Sequence, residues 1–443
     1  MDVGTALSVL HLMLASFALW VVPIHPAVIL DLAVFPVALA LQLRSLVSTW
    51  RGGASADRAP QPPAADAGAA STVAVRRDPR AARLPRVRAV FLAVQVAVFA
   101  MLVDFVFRPL VAPAEDLVVF RPGYVSHDTA RLHIRYPDRG TLELRYRVLA
   151  PLQGAEGAGW EPADNTPWES AGEFAPPTSE TDFTVTTALS NLQPSTGYLV
   201  ELHSRQATLQ AATVRLGSVE FRTAPRPGSP TRLRFGSGSC IMPNFPYRPS
   251  WTADVYGFEN MLAHSDGLDM FLFMGDFIYA DLPMYFGPSA SDYRRLYRRV
   301  YTAPSTRRLL RKVPMMHVYD DHEIKNNWHS QDQPPMANAM TAFNEYNGRP
   351  NPPAAAPGVA YYNFTHGNIA FYAWDTRRYR TRWETDGDAD ASERSMLGAA
   401  QKQHFMQWLR DVNHTAAVKF VVSSVPVTTA WTNIDSSQDT WRG

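Results

Sequence analysis

Five times after Thr231 a short apolar run stops in a cluster of polar residues. TRLRFGSG leads into Cys240, LDMFLFMG into Asp276, VPMMHVY into Asp320, Asp321, His322 and Glu323, IAFYAW into Asp375, and VKFVV into Ser423 and Ser424. Short apolar runs bounded by glycine and polar residues read as buried strands, while LGAAQKQHFMQWLRDVN spaces Phe405, Trp408, Leu409 and Val412 at helical intervals. Strands interleaved with helices predict an α/β architecture, and layered folds build their sites where strands terminate.

Two strand ends constrain the chemistry most. In MGDFIYAD the apolar run stops at Gly275, which permits a sharp turn, and Asp276 and Tyr279 follow three residues apart. One aspartate after a strand commonly caps a helix or forms a turn, so this segment alone defines no site. In HVYDDHEIKNNW, two adjacent carboxylates, an imidazole, a third carboxylate and the carboxamides of Asn326 and Asn327 crowd into eight positions. Like charges at the end of an apolar strand repel and lose hydration, a cost that a bound cation offsets. Cys240, the only cysteine in 443 residues, excludes an internal disulfide framework. Composition leaves it open as buried filler, redox liability, nucleophile or metal ligand.

The first hundred residues read as membrane-associated. TALSVLHLMLASFALWVV (5–22) is uncharged and, at about 1.5 Å per helical residue, nearly as long as a bilayer's hydrocarbon core is thick. AVILDLAVFPVALALQL (27–43) is interrupted by Asp31 and Pro36, and AVFLAVQVAVFAMLVDFVF (89–107) carries Gln95 and Asp104. These runs predict two candidate transmembrane helices within residues 1–46 and a third within 89–110. Asp2, where a signal peptide would be basic, favours an anchor over a cleaved leader. Residues 47–88, rich in Ala, Pro, Gly and Arg, are expected to be a disordered loop. The loop's arginines (Arg51, Arg58, Arg76, Arg77, Arg80, Arg83, Arg86, Arg88) outnumber its acids. The positive-inside rule then places it in the cytosol and everything after residue 110 on the extracellular or lumenal side. Over the whole chain 42 basic residues balance 41 acidic ones, so there is no nucleic-acid-binding signal.

Residues 115–226 have a different texture. ARLHIRYP, TLELRYRVL, DFTVTTAL, GYLVELHS and VEFRTAP are short β-rich runs separated by turn residues, which predicts an all-β sandwich. LSNLQPSTGYLVEL puts Tyr198 where a tyrosine corner would sit, similar to a fibronectin type III module.

GSGSC at the first strand end, GDFIYAD, YDDHEIKNNW, DTRRYR (375–380) and SSVP (423–426) together resemble, in order, the PhoD-like alkaline phosphatases of the metallophosphoesterase superfamily. The resemblance covers about residues 115–443. It implies a metallophosphatase-type α/β/β/α sandwich over 231–443, preceded by the fibronectin III-like sandwich and the amino-terminal helices. It implies hydrolysis of a phosphate-ester substrate, monoester or diester, by a metal-activated water. The implied cofactors are ferric iron and calcium, held by Cys240, Asp276, Tyr279, Asp321 and Asn326. Thiolate and phenolate suit trivalent iron, and carboxylate and carboxamide oxygens suit calcium. His322 is implied as the group that stabilises or protonates the leaving oxygen, and Arg377 as a donor to a nonbridging phosphate oxygen. The family's pattern runs on through another helix to a GDxH strand end, whereas this sequence stops at DTWRG, so the catalytic domain is expected to be incomplete at its C-terminus. Two other readings stand beside this one. A purple acid phosphatase shares GDxxY and a fibronectin-like domain but has GNHE where this chain has DDHE. A catalytically impaired, membrane-tethered binding module would use the β-sandwich for adhesion.

Overall fold

The computed structural model describes residues 3–20, 25–56, 79–151, 160–162, 166–205, 213–250, 253–381, 394–427 and 441. They form two units: Met1–Arg108 with the short segments Phe245–Pro249 and Leu282–Met284, and the rest of the chain.

The first unit is helical, built from α1 (Val3–Trp20), α2 (His25–Ala56) and α3 (Pro79–Val111). By length and composition, Val87–Val111 is the one segment among the described residues long and apolar enough to cross a membrane, and Gly4–Leu19 is apolar but shorter. The two spans expected within residues 1–46 do not reach that measure. α1 is only 18 residues long, and α2 carries Asp31, Pro36 and Arg44 along its course. The polar interruptions have a packing role. Buried Asp31 lies 2.8 Å from Nδ1 of buried His11, whose Nε2 is 3.2 Å from the backbone oxygen of Gln95. Helix also enters the stretch expected to be disordered, because α2 continues to Ala56 and α3 begins at Pro79. PRAARLPRVR supplies good helix formers behind a proline at the first turn. Residues 57–78 of that stretch lie outside the described residues.

The second unit opens with the expected sandwich: β1 (Val119–Val125), β2 (Ala130–Arg135), β3 (Thr141–Pro151), β4 (Trp160–Pro162), β5 (Glu169–Phe174), β6 (Thr184–Leu189), β7 (Gly197–Arg205) and β8 (Thr213–Arg222). One sheet runs β1-β2-β6, and the other β4-β3-β7-β8 with β5 paired to β3. Their inner faces share a core of Leu132, Ile134, Leu144, Val200 and Leu202. The Tyr198 hydroxyl accepts a hydrogen bond from the Gln193 backbone N–H at 2.8 Å, closing the tyrosine corner.

The remainder is α/β: β9 (Phe235–Gly238), α4 (Tyr256–Ala263), β10 (Met270–Met274), α5 (Ala290–Thr302), α6 (Pro304–Lys312), β11 (Met315–Val318), α7 (Met336–Phe343), β12 (Tyr362–His366), β13 (Ile369–Ala373), α8 (Gly398–Asp411) and β14 (Val418–Val422). β9, β10 and β11 make a parallel sheet, and β12, β13 and β14 a mixed one. The alternation of strand side chains sets the layers. Phe271 and Phe273 pack with Tyr297 of α5 and Leu309 of α6, while Met270, Leu272, Met316 and Val318 meet Phe364, Phe371 and Val422 of the mixed sheet. On that sheet's other face Ala370 and Tyr372 pack against Trp408 of α8. The order is helix, sheet, sheet, helix, as expected. Asp182 joins the sandwich to this part, accepting from Arg135 at 3.3 Å, from Arg298 of α5 at 2.6 Å and from the Tyr346 hydroxyl.

Candidate metal centre

Parallel pairing aligns the C-terminal ends of β9, β10 and β11, so the segments after Gly238, Met274 and Val318 emerge along one edge. Backbone bonds lace them together: Cys240 N–H donates to the Gly275 oxygen at 3.1 Å, and Ile241 N–H to the Asp276 oxygen at 3.0 Å. Gly275 takes φ 98°, and a Cβ there would stand 2.4 Å from the Cβ of Asp320, so only glycine lets the ends of β10 and β11 approach this closely. Cys240 (φ 61°) and Asp276 (φ 57°) both hold left-handed backbone, which is uncommon for residues with a side chain and clusters at functional sites.

The side chains converge on Asp276. Its Oδ2 is 3.3 Å from the Cys240 sulfur and 3.4 Å from the Tyr279 hydroxyl, while its Oδ1 is buried without a hydrogen-bond partner among the described residues. Asp276, Asp321 and His322 each offer a ligand atom, and the three atoms lie within 4.8 Å of one another. Burial, followed by the carboxylates of Asp320 and Asp321, pushes the Asp276 carboxyl up to about 7. Partial withdrawal from water and the Asp276 charge push the Cys240 thiol up to about 11, although the residue itself is exposed at the lip of the site. Burial, followed by the charges of Asp276 and Cys240, raises the Tyr279 phenol. The Asp276 charge disfavours the anionic forms of Cys240 and Tyr279, and Asp320 and Asp321 disfavour that of Asp276, as expected of groups arranged around positive charge. The donor set of one thiol, one phenol and two carboxylates, with an orphaned carboxylate oxygen and an imidazole beside it, fits a metal ion; it does not by itself identify one.

His322 is held from the side. Its Nδ1 is 2.7 Å from Asp281 Oδ1, and Asp281 Oδ2 accepts the Asn326 backbone N–H at 2.9 Å. Burial pulls the imidazole's pKa down, but the Asp281 hydrogen bond and the charges of Asp321 and Asp276 outweigh it and hold it at about 9. With Nδ1 committed to a carboxylate, Nε2 is left for the chemistry. Asn326 is exposed and its backbone N–H makes this bond, while the Asn327 backbone N–H donates to Asp321. Arg377 is fully buried. Its Nε donates to Asp320 and its Nη2 lies 3.3 Å from Asp321, so the guanidinium faces the acidic pair.

Two groups beyond the sequence-derived candidates organise the site. Glu323 is buried and accepts three backbone N–H groups, from Asp276 at 3.0 Å, Phe277 at 2.6 Å and Asp320 at 2.7 Å, which fixes the turns after β10 and β11 at once. Its place in DDHE was the available signal. Asp281 ends GDFIYAD, and nothing in local spacing marks it as a partner of His322, 41 positions on. Asp375 ties in the second sheet: it accepts the Tyr319 hydroxyl at 2.6 Å and the backbone N–H of Arg377 and Arg378 at 3.2 and 3.0 Å.

The sequence profile of PhoD-like phosphatases matches residues 239–443. A solved structure titled "Structure of PhoD" aligns with a TM-score of 0.52 at 19% identity, over 73% of this chain and 66% of that one. The purple acid phosphatase PPD1 from yellow lupin (Lupinus luteus) seeds aligns with a TM-score of 0.47 at 14% identity, over 70% of this chain and 50% of its own. This chain therefore spans just under two thirds of the PhoD chain. No curated protein matches the sequence. Sequence and fold resemble PhoD-like phosphatases over part of the chain and at low identity.

Proposed function

We propose that the chain is a metal-dependent phosphoesterase that hydrolyses phosphate monoesters or diesters with water as the nucleophile. The observation that carries this reading is the convergence of Asp276, Asp321 and His322 within 4.8 Å at the ends of parallel strands, with Cys240 and Tyr279 flanking Asp276. Cys240, Asp276 and Tyr279 would hold iron. Asp276 and Asp321, with Asn326 as a further candidate, would hold calcium, and Asp276 would serve both. Bound there, the ions would supply Lewis-acid polarisation of the phosphoryl oxygens and a nucleophilic water at neutral pH. The residues do the rest. Glu323 keeps the two turns in register, and His322, oriented by Asp281, presents Nε2 as the proton donor to the leaving oxygen. Arg377 faces Asp320 and Asp321 and offsets part of the cost of burying two acidic groups side by side. The α3 segment Val87–Val111 would anchor the protein, with the catalytic part on the extracellular or lumenal side.

The test is to load the full chain with iron and calcium and follow hydrolysis of a chromogenic monoester and diester, with and without chelator. Hydrolysis that the chelator leaves untouched would overturn the reading. Cys240→Ser is expected to lose the visible charge-transfer absorption of an iron–thiolate pair and most of the bound iron, measured by absorption spectroscopy and metal analysis. Unchanged iron content would make the thiol a bystander.

Asp281→Asn is expected to lower kcat about 10- to 100-fold, the usual cost of losing a partner that orients a reactive side chain, with KM little altered. The loss should be larger for esters with poor leaving groups, which need the proton most, and should shrink for nitrophenyl esters. Equal losses across leaving groups would remove His322 from the proton-donor role.

A further inference from the structure

We propose that Asn413, on the turn between α8 and β14, is an acceptor for an N-linked glycan at the opposite end of the strand from the metal centre. This rests on the extracellular or lumenal orientation proposed above and is independent of the phosphoesterase reading. An asparagine followed two residues on by threonine or serine, with no proline between, is the triplet that N-glycosylation requires. The sequence holds it twice, as Asn363-Phe364-Thr365 and Asn413-His414-Thr415.

The fold separates the two. Asn363 lies in β12, paired with Tyr372 of β13. Tyr362 and Phe364 on either side enter the core between the sheets, so strand alternation turns Asn363 to the face where Tyr372 packs on Trp408 of α8. It is half-buried, and a glycan there would compete with that packing. Asn413, His414 and Thr415 are all exposed. The turn beneath them is fixed: Val412 is buried, its N–H donates to the Trp408 oxygen at 3.0 Å, and the Ala416 N–H donates to the Val412 oxygen at 3.0 Å. The triplet therefore stands out from an ordered base, on a surface turn of the kind that carries glycans. Asn413 Nδ2 is 3.4 Å from His414 Nε2, a long contact between exposed groups that costs little to give up.

The position also leaves the chemistry free. β14 runs five residues from Val418 to Val422, roughly 17 Å at about 3.3 Å per residue. Beyond its C-terminal end the Ser424 hydroxyl meets Thr376 at 2.7 Å, beside Arg377 and the acidic pair, whereas Asn413 precedes the other end. The transfer is a substitution at the anomeric carbon of a polyprenyl-diphosphate-linked oligosaccharide. The bond from Nδ2 to that carbon forms as its bond to the diphosphate oxygen breaks; the bonding pair leaves with the diphosphate, and Nδ2 gives up one proton.

The experiment is translation of the full chain with rough microsomes, read as mass steps on a denaturing gel before and after peptide-N-glycosidase. The parent is expected to show a step that the glycosidase reverses. Asn413→Gln and Thr415→Ala should each lose it, whereas Thr415→Ser, which restores the hydroxyl, and Asn363→Gln should keep it. Arg139→Asn serves as the control for orientation, because it completes a triplet with Thr141 at an exposed position between β2 and β3. A step gained by Arg139→Asn with none lost by Asn413→Gln would overturn the proposal and leave the orientation standing. No step in any variant would overturn both. A step lost in Asn363→Gln and kept in Asn413→Gln would place the glycan on the strand and overturn the proposal.

Discussion

Asp276→Asn is expected to lower phosphoester hydrolysis about 100-fold or more, since losing even an outer-shell partner of a metal ligand costs about 10- to 100-fold and Asp276 is the group on which the donors converge. Metal analysis should show the bound ions lost with the activity. The same substitution should change the pH dependence of stability in the metal-free protein. An unfolded aspartate titrates at about 3.9. Folded Asp276 is pushed up to about 7 by burial and by Asp320 and Asp321. The folded chain therefore holds its proton more tightly than the unfolded chain. Stability is fully present below about pH 4 and is lost as pH rises through 7. Thermal unfolding between pH 5 and 8 should show a falling Tm for the metal-free parent, a shallower fall for Asp276→Asn, and recovery on adding metal in the parent alone. A variant that keeps metal and turnover would take Asp276 out of the site.

Arg377→Ala is expected to destabilise the fold by about 3–5 kcal/mol, the range for breaking a buried ion pair and leaving the partner charge behind. Its guanidinium is bound to Asp320 and lies 3.3 Å from Asp321, and all three residues are buried. Burial already raises the Asp320 carboxyl against the pull of Arg377, so removing the arginine raises it further. The loss should therefore grow as pH rises and shrink in acid, where the carboxyls protonate; urea unfolding at pH 5 and 8 reads both. If Arg377 instead serves chiefly as a contact to the phosphoryl group, stability should stay within about 0.5 kcal/mol, as for substitutions away from buried networks, and only the kinetic constants should move. The structure favours the first outcome because the guanidinium is turned to the acidic pair.

The helical unit shows where periodicity and composition stop. Apolar runs in α1, α2 and α3 were legible, but how far each helix extends was not: helix continues to Ala56 and resumes at Pro79 within a stretch whose composition suggested disorder. Asp31 and Gln95 read as interruptions because nothing in the sequence links them to His11. Their partners sit 20 and 84 positions away, and only packing brings them together.

The sequence by itself determined that strands end in polar clusters and that Cys240, Asp276, Tyr279, Asp321 and His322 belong to them, because period-two burial and glycine-marked turns are local properties. It also determined the sandwich and its tyrosine corner, since each strand and turn carries its own signal. The tertiary structure alone decided which strand ends meet. Parallel pairing of β9, β10 and β11 puts three turns at one edge, and the close approach allowed by Gly275 sets their spacing. It decided that Asp281 orients His322, that Glu323 holds two turns through three backbone N–H groups, and that Arg377 answers to Asp320 and Asp321. Hydrogen bonds and charge pairs act through space, over distances set by the folded chain and not by residue spacing, so no local pattern encodes them.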